Sequence, residues 1–228
     1  MRFFIALQHP KVVALGEIGL DDKWTRDSEV EFLKQQEVFR VQIRLALKAQ
    51  KPMVFHLRGR NATSVAKEIL EDENVPNTWP IHMHAFTDPY EKCKDWALKW
   101  PNMKFGVVSD NFDPKLVQGL PLSRILLETD APYFRPSVLD ESHLNRKHRL
   151  SLPGHVWFVA NQVAYFKKVS VETVLKANRE NVSELYNIPR WKPSGVPVSD
   201  GPTKKPRKID DYIFTCSGRI NPKNGEGK

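Results

Sequence analysis

The sequence predicts an α/β fold built on a parallel sheet, and three observations carry that prediction. Short apolar runs rich in Val, Ile, Leu and Phe alternate with longer amphipathic stretches through residues 1–189. The runs are too short for helices and lack the strict alternation of a half-exposed strand, as expected of strands covered on both faces. Several of them end in a carboxylate or an imidazole, the type of residue that a parallel α/β barrel collects at the carboxyl ends of its strands. Strand–helix–strand units of this kind close in the right-handed sense.

The elements follow in order. "MRFFIALQHP" reads as the end of a helix, and "KVVALGE" (11–17) as a first strand ending at Glu17. In the segment 28–50, Phe32, Phe39, Ile43 and Ala46 recur on one helical face, and Ser28 with Glu31 forms a capping box. Lys51-Pro52 stops that helix, and "MVFH" (53–56) is the next strand. "ATSVAKEILED" is helical. "WPIHMHAF" (79–86) is read as a strand with Ile81, Met83 and Ala85 on one side and His82, His84 and Phe86 on the other. "EKCKDWALKW" is helical, "MKFGVVS" (103–109) is extended, and "SRILLETDAP" (123–132) is an apolar run ending in acids. A polar loop then leads to two amphipathic helices, roughly 153–167 and 170–187. The body thus contains five strands.

Composition bounds what such a chain does. At 228 residues, 40% hydrophobic and 27% charged, it is long enough for one sizeable core plus a tail. No apolar stretch approaches the ~20 residues of a membrane helix, and no signal-type cleavage pattern follows the N-terminus. Cys93 and Cys216 make neither a disulfide framework nor a C-x-x-C clip, which points to a reducing compartment, nuclear or cytoplasmic. No obligate protein partner is implied. Residues 190–228 hold nine Lys/Arg against four acids, so five of the net +8 charges belong to a Pro- and Lys-rich tail expected to be disordered. Within it, "KKPRK" (204–208) reads equally as a nuclear-localisation patch or as a solubilising run. The body, at +3, is compatible with a polyanionic substrate without demanding one.

Four run endings carry ligand-type groups: Glu17, His56, His84 and Asp130. Taken singly, each has an ordinary structural explanation, as a solvated acid, a hydrogen-bonded histidine or a turn former. Together they point to a divalent cation, since imidazole with carboxylate suits Zn or Mn, and Mg where oxygens dominate. His82, deeper in its strand than His84, reads as a structural histidine.

The stretches "GEIGLD" (16–21), "VFHLR" (54–58), "HAFTD" (84–88) and "LETDAPYF" (127–134) resemble, in order and spacing, the motifs of TatD-type metal-dependent deoxyribonucleases. "QHPKVVALGEIGLD" and "IHMHAF" are most similar to the animal nuclear branch of that family, and the resemblance extends over about residues 5–188. It implies a TIM-like (β/α)8 barrel of the metal-dependent hydrolase type that cleaves phosphodiester bonds in DNA with two divalent metals. By position, it implies that Glu17 bridges both metals and that His56 and His84 complete the second. Asp130 then belongs to the first and, with Glu17, takes the catalytic role, orienting or deprotonating water. Arg58 and Glu128 are implied to lie behind the ligands or against phosphate, or to form ordinary strand-end salt bridges. The loop "NRKHR" (145–149) places Arg146, Lys147 and Arg149 where they can hold a nucleic-acid backbone, or simply be solvated.

The departures from that family are specific. The family opens with a strand carrying an H-x-H pair, and none occurs near the start of this sequence. The expectation is a barrel without its first strands, with a weakened first metal site. Ala85 stands where the family often has Cys, and Asp88 where it usually has Gly. A catalytically dead nucleic-acid-binding protein, or a hydrolase of amides or other esters, is therefore the alternative to a nuclease.

Overall fold

The computed structural model describes residues 2–23, 28–59, 61–139 and 150–189, together with 212–214 and 220–222. Its centre is a five-stranded sheet in the order β1-β2-β3-β4-β5, and every neighbouring pair is parallel. The strands are β1 (Leu15–Asp21), β2 (Met53–Arg58), β3 (Ile81–Met83), β4 (Lys104–Val107) and β5 (Ile125–Leu127). Between and around them lie α1 (Arg2–Leu7), α2 (Glu29–Ala49), α3 (Ala62–Asp72), α4 (Tyr90–Lys99), α5 (Pro114–Gly119), α6 (Val156–Lys167) and α7 (Val171–Tyr186). Spatial order follows chain order, the arrangement of strands in a TIM-like barrel.

Helix α2 shows how local sequence sets this layout. Ser28 caps it, its hydroxyl accepting from the Glu31 amide at 3.3 Å. Gln50 closes it in the left-handed conformation, and Lys51 N–H returns to the Ala46 carbonyl at 3.0 Å. Phe39, Ile43 and Ala46 are fully buried, and Phe39 meets Phe55 of β2 edge-on at 5.3 Å. Burying side chains of this size stabilises by roughly 1.5–3 kcal/mol each, so the helix is fixed by its apolar face more than by its caps. On the far edge of β1, the Gln35 side chain accepts from Asp21 N–H at 2.8 Å and donates to its carbonyl at 3.1 Å. A side chain thus partly occupies an otherwise open strand edge.

Two expectations are corrected. The first strand begins at Leu15 and runs to Asp21, so Glu17 lies inside it instead of at its end. The pairing of β1 with β2 is irregular between Leu15 and Ile18, and the apolar "VVA" run precedes the strand. The third strand stops at Met83. His84 and Ala85 form a turn, with Ala85 at φ 41°, so the alternation expected through residue 86 ends early. Within the tail, the described residues form an antiparallel pair, β6 (Tyr212–Phe214) with β7 (Ile220–Pro222), and the rest of 190–228 lies outside the described residues.

Candidate metal centre

The site draws on Glu17 and Asp21 of β1, His56 of β2, His84 just past β3, and Glu128 and Asp130 just past β5. In β1 the alternation leaves Ile18 and Leu20 buried under the helices, and Glu17, Gly19 and Asp21 on the other face. Gly19 pairs with His56 and Asp21 with Arg58. A Cβ on Gly19, at φ +153°, would lie 2.0 Å from the His56 carbonyl oxygen. Only glycine lets the two backbones approach so closely.

The His56 ring therefore sits between two carboxylates. Its Nδ1 lies 3.8 Å from Glu17 Oε2 and its Nε2 lies 3.4 Å from Asp21 Oδ2. Asp21 is also bound by the Arg58 guanidinium. Burial works to raise the Asp21 pKa, but Arg58, with help from the Lys23 amide and His56, outweighs it and holds the carboxyl below the usual Asp range.

His84 is held in a parallel way. Its Nδ1 is 3.0 Å from Glu128 Oε1, while its Nε2 faces Glu17 Oε1 and Asp130 Oδ1, each at 3.6 Å. The carboxylate of Glu128 also accepts from Ala85 N–H at 2.7 Å and approaches His82 Nε2 at 2.8 Å. Gly106 of β4 makes room for it, since a Cβ there would lie 2.1 Å from Glu128 Oε2. Burial pulls the His84 pKa down. The hydrogen bond and charge of Glu128, reinforced by Glu17 and Asp130, more than offset this and raise it to about 9. Burial likewise opposes ionisation of Glu128, and its two histidines hold it at about 2. The pair is an ion pair in the metal-free chain.

Asp130 sits three residues past β5 with φ 48°, a conformation that Asp tolerates better than most residues. Burial raises its pKa above the ordinary Asp range against the opposing charge of His84, and Glu17 adds to the rise.

The donor set fits a divalent cation. One ligand atom each from Glu17, His56 and His84 lies within 4.8 Å of the other two. Ligands sharing a tetrahedral ion at ~2.1 Å stand roughly 3.4 Å apart, so a bound ion would draw the three atoms in from their present spacing. Both imidazoles are backed by a carboxylate, Asp21 or Glu128, which fixes the ring nitrogen offered to the centre. Beside this centre a cavity of about 770 Å³ opens between β1 and α2, bordered by Glu17, Asp21 and His56 with Lys34, Gln35 and Gln42.

Of the residues singled out from sequence, Glu17, His56, His84 and Asp130 come together here. Arg58 is engaged with Asp21 beside the centre. Arg146, Lys147 and Arg149 lie outside the described residues. Asp88, which stands where the family usually has Gly, accepts from the Thr63 hydroxyl at 2.5 Å and pairs with Lys92 at 3.3 Å. Asp21 was missed, although Glu, Gly and Asp at alternate positions of "EIGLD" already place it on the face of Glu17. Glu128 was left undecided between ligand support and salt bridging. The structure places it directly behind His84.

A profile of the family described as TatD related DNase matches residues 2–187. The chain belongs to that family. Among the TatD relatives, the human protein named 3'-5' RNA nuclease TATDN2 is 35% identical over 189 residues, 80% of this chain and 24% of that protein. The uncharacterised metal-dependent hydrolase YabD of Bacillus subtilis is 34% identical over 184 residues, 79% of this chain and 67% of YabD. The chain thus spans about a quarter of the first relative and two thirds of the second. Among solved structures, the Escherichia coli TatD homologue YJJV superposes with a TM-score of 0.66 at 25% identity, covering 82% of this chain and 70% of YJJV. The fold is that of the TatD proteins. Among the described residues, no helix is long and apolar enough to cross a membrane.

Proposed function

We propose that this chain hydrolyses phosphodiester bonds of nucleic acid, DNA above all, at a divalent cation held by Glu17, His56 and His84. The observation that carries the reading is the convergence of those three ligand atoms within 4.8 Å, with a carboxylate behind each imidazole. Family membership and relatives named as nucleases and metal-dependent hydrolases support it. Mn, Zn and Mg all match the mixed oxygen and nitrogen donors. A second cation would have only Glu17 and Asp130 as protein ligands and would be held weakly.

A bound divalent ion supplies Lewis-acid polarisation of the phosphoryl oxygen and acidifies nearby water. The chain's own residues do the rest. Glu17 and Asp130, each 3.6 Å from His84 Nε2, border the place where the scissile phosphate would meet the cation. Asp130 Oδ1 takes the proton of the water that attacks phosphorus, and its raised pKa suits it to that task. The ester P–O bond then breaks, and the departing oxygen is protonated from solvent. Arg146, Lys147 and Arg149 supply cationic contacts to the backbone, and Arg58 helps to hold Asp21.

The test is cleavage of end-labelled DNA and RNA oligonucleotides by the full chain with Mn2+, with Mg2+ or with EDTA. The reading expects metal-dependent products that Asp130→Asn abolishes. Binding that survives EDTA with no products would establish instead a nucleic-acid-binding protein, and turnover of small amides or esters alone would move the substrate class.

A further inference from the structure

His82 is buried and lies two residues before a proposed ligand, yet it is not one of the three residues whose ligand atoms cluster. Nδ1 is hydrogen-bonded, whereas Nε2 is buried beside a carboxylate without an aligned hydrogen bond. Nε2 is 2.8 Å from Glu128 Oε1, and Nδ1 is 2.6 Å from the hydroxyl of Tyr186, the last residue of α7. The same Glu128 oxygen takes His84 Nδ1 at 3.0 Å. A carboxylate accepts only, so His84 Nδ1 donates its N–H to Glu128, and His82 Nε2 lies against the same oxygen in an ion-pair contact. The contacts run in one line from Tyr186 to His82, from His82 to Glu128 and from Glu128 to His84. That arrangement leaves His84 Nε2 as the atom turned to Glu17 and Asp130.

A burial reason alone does not account for this chain. An apolar side chain would fill the position of His82 at lower desolvation cost, and nothing else about β3 requires a polar group between Met83 and Ile81. What the histidine adds is a second polar nitrogen 2.8 Å from the Glu128 oxygen that His84 also contacts. With Ala85 N–H on the other oxygen, Glu128 is held from three directions and cannot rotate away from the His84 ring. Tyr186 lies 104 residues further along the chain, so its hydroxyl joins α7 to the centre, alongside the Asn178 side chain that accepts from Leu127 N–H at 2.9 Å.

We propose that His82 and Tyr186 are positioning residues that lock Glu128, and through it the Nδ1–H form and orientation of His84, for cation binding. This rests on the reading of Glu17, His56 and His84 as the cation site. Neither residue touches the cation or substrate. Their effect is transmitted entirely through Glu128.

The test uses the full chain labelled with 15N-histidine and compares His82→Leu, His82→Gln and Tyr186→Phe. Two quantities are read: solvent exchange of the His84 Nδ1–H proton in EDTA, and Mn2+ affinity by calorimetry. In the wild type that proton is slow to exchange. His82→Leu and Tyr186→Phe are expected to speed its exchange about tenfold and to weaken Mn2+ binding about threefold to tenfold, less than loss of a direct partner would. His82→Gln keeps an amide donor at the Nε2 position and is expected to stay within about threefold of wild type. Wild-type exchange and affinity in both His82→Leu and Tyr186→Phe would overturn the proposal, as would His82→Gln behaving like His82→Leu. If His82→Leu does not fold, Tyr186→Phe, which removes one oxygen atom, decides alone. Failure of the wild type to bind Mn2+ would instead remove the cation reading, and the exchange rates in EDTA would still decide this one.

Discussion

Replacing Glu128 with Gln keeps the shape of the side chain and removes its charge, at a point where Ala85 N–H, His82 Nε2 and His84 Nδ1 converge. The amide offers one acceptor and brings its own donors into a cluster of donors, so at least one buried group loses its partner. In the metal-free chain, His84 is raised from its ordinary 6.5 to about 9, with burial opposing and Glu128 as the main favourable contributor. At 1.36 kcal/mol per pKa unit, that difference corresponds to roughly 3 kcal/mol. The depression of Glu128 is the same interaction seen from its partner and is not added. Stability against urea near pH 6, in EDTA, should therefore fall by roughly 3 kcal/mol, within the ~5–15 kcal/mol typical of a folded domain. The pH dependence gives a sharper signature. The folded state holds the His84 proton to about pH 9, and the unfolded chain releases it near 6.5. This stabilisation is complete below pH 6.5 and is lost as pH rises through about 9. Wild type should lose it across that window, and Glu128→Gln should show a much flatter decline. Parallel curves for the two proteins would refute the ion pair.

Two further outcomes follow from the same geometry. Asp21→Asn removes the charge behind His56 Nε2 and should weaken Mn2+ binding about tenfold in calorimetry, with the fold retained by circular dichroism. Gly106→Ala puts a methyl group 2.1 Å from Glu128 Oε2 and should destabilise by about 1–3 kcal/mol in urea melts, whereas an ordinary exposed Gly→Ala would not.

Much of this architecture is legible in the sequence, and the exceptions have physical causes. The α2 face and the Ser28 cap are local features, so periodicity and residue type suffice to find them. The start of β1 was displaced because its apolar run continues upstream of the irregular pairing around Gly16 and Glu17. Apolar content alone does not show where pairing begins. The early end of β3 depends on Ala85 taking a positive φ, which follows from its amide binding Glu128 rather than from any preference of alanine. Glu17, His56, His84 and Asp130 were recognisable because ligand chemistry restricts residue type. Their supports were harder to see. Asp21 could be read from alternation in β1, but the Tyr186–His82 contact joins distant parts of the chain and leaves no local pattern.

The central claim is that Glu17, His56 and His84 share one cation. Anomalous diffraction from crystals of the full chain soaked in Mn2+ tests it most directly. The account predicts a peak at ~2.0–2.3 Å from a carboxylate oxygen of Glu17 and one nitrogen of each histidine. A peak elsewhere, or none while the three side chains stay as they are, would contradict it.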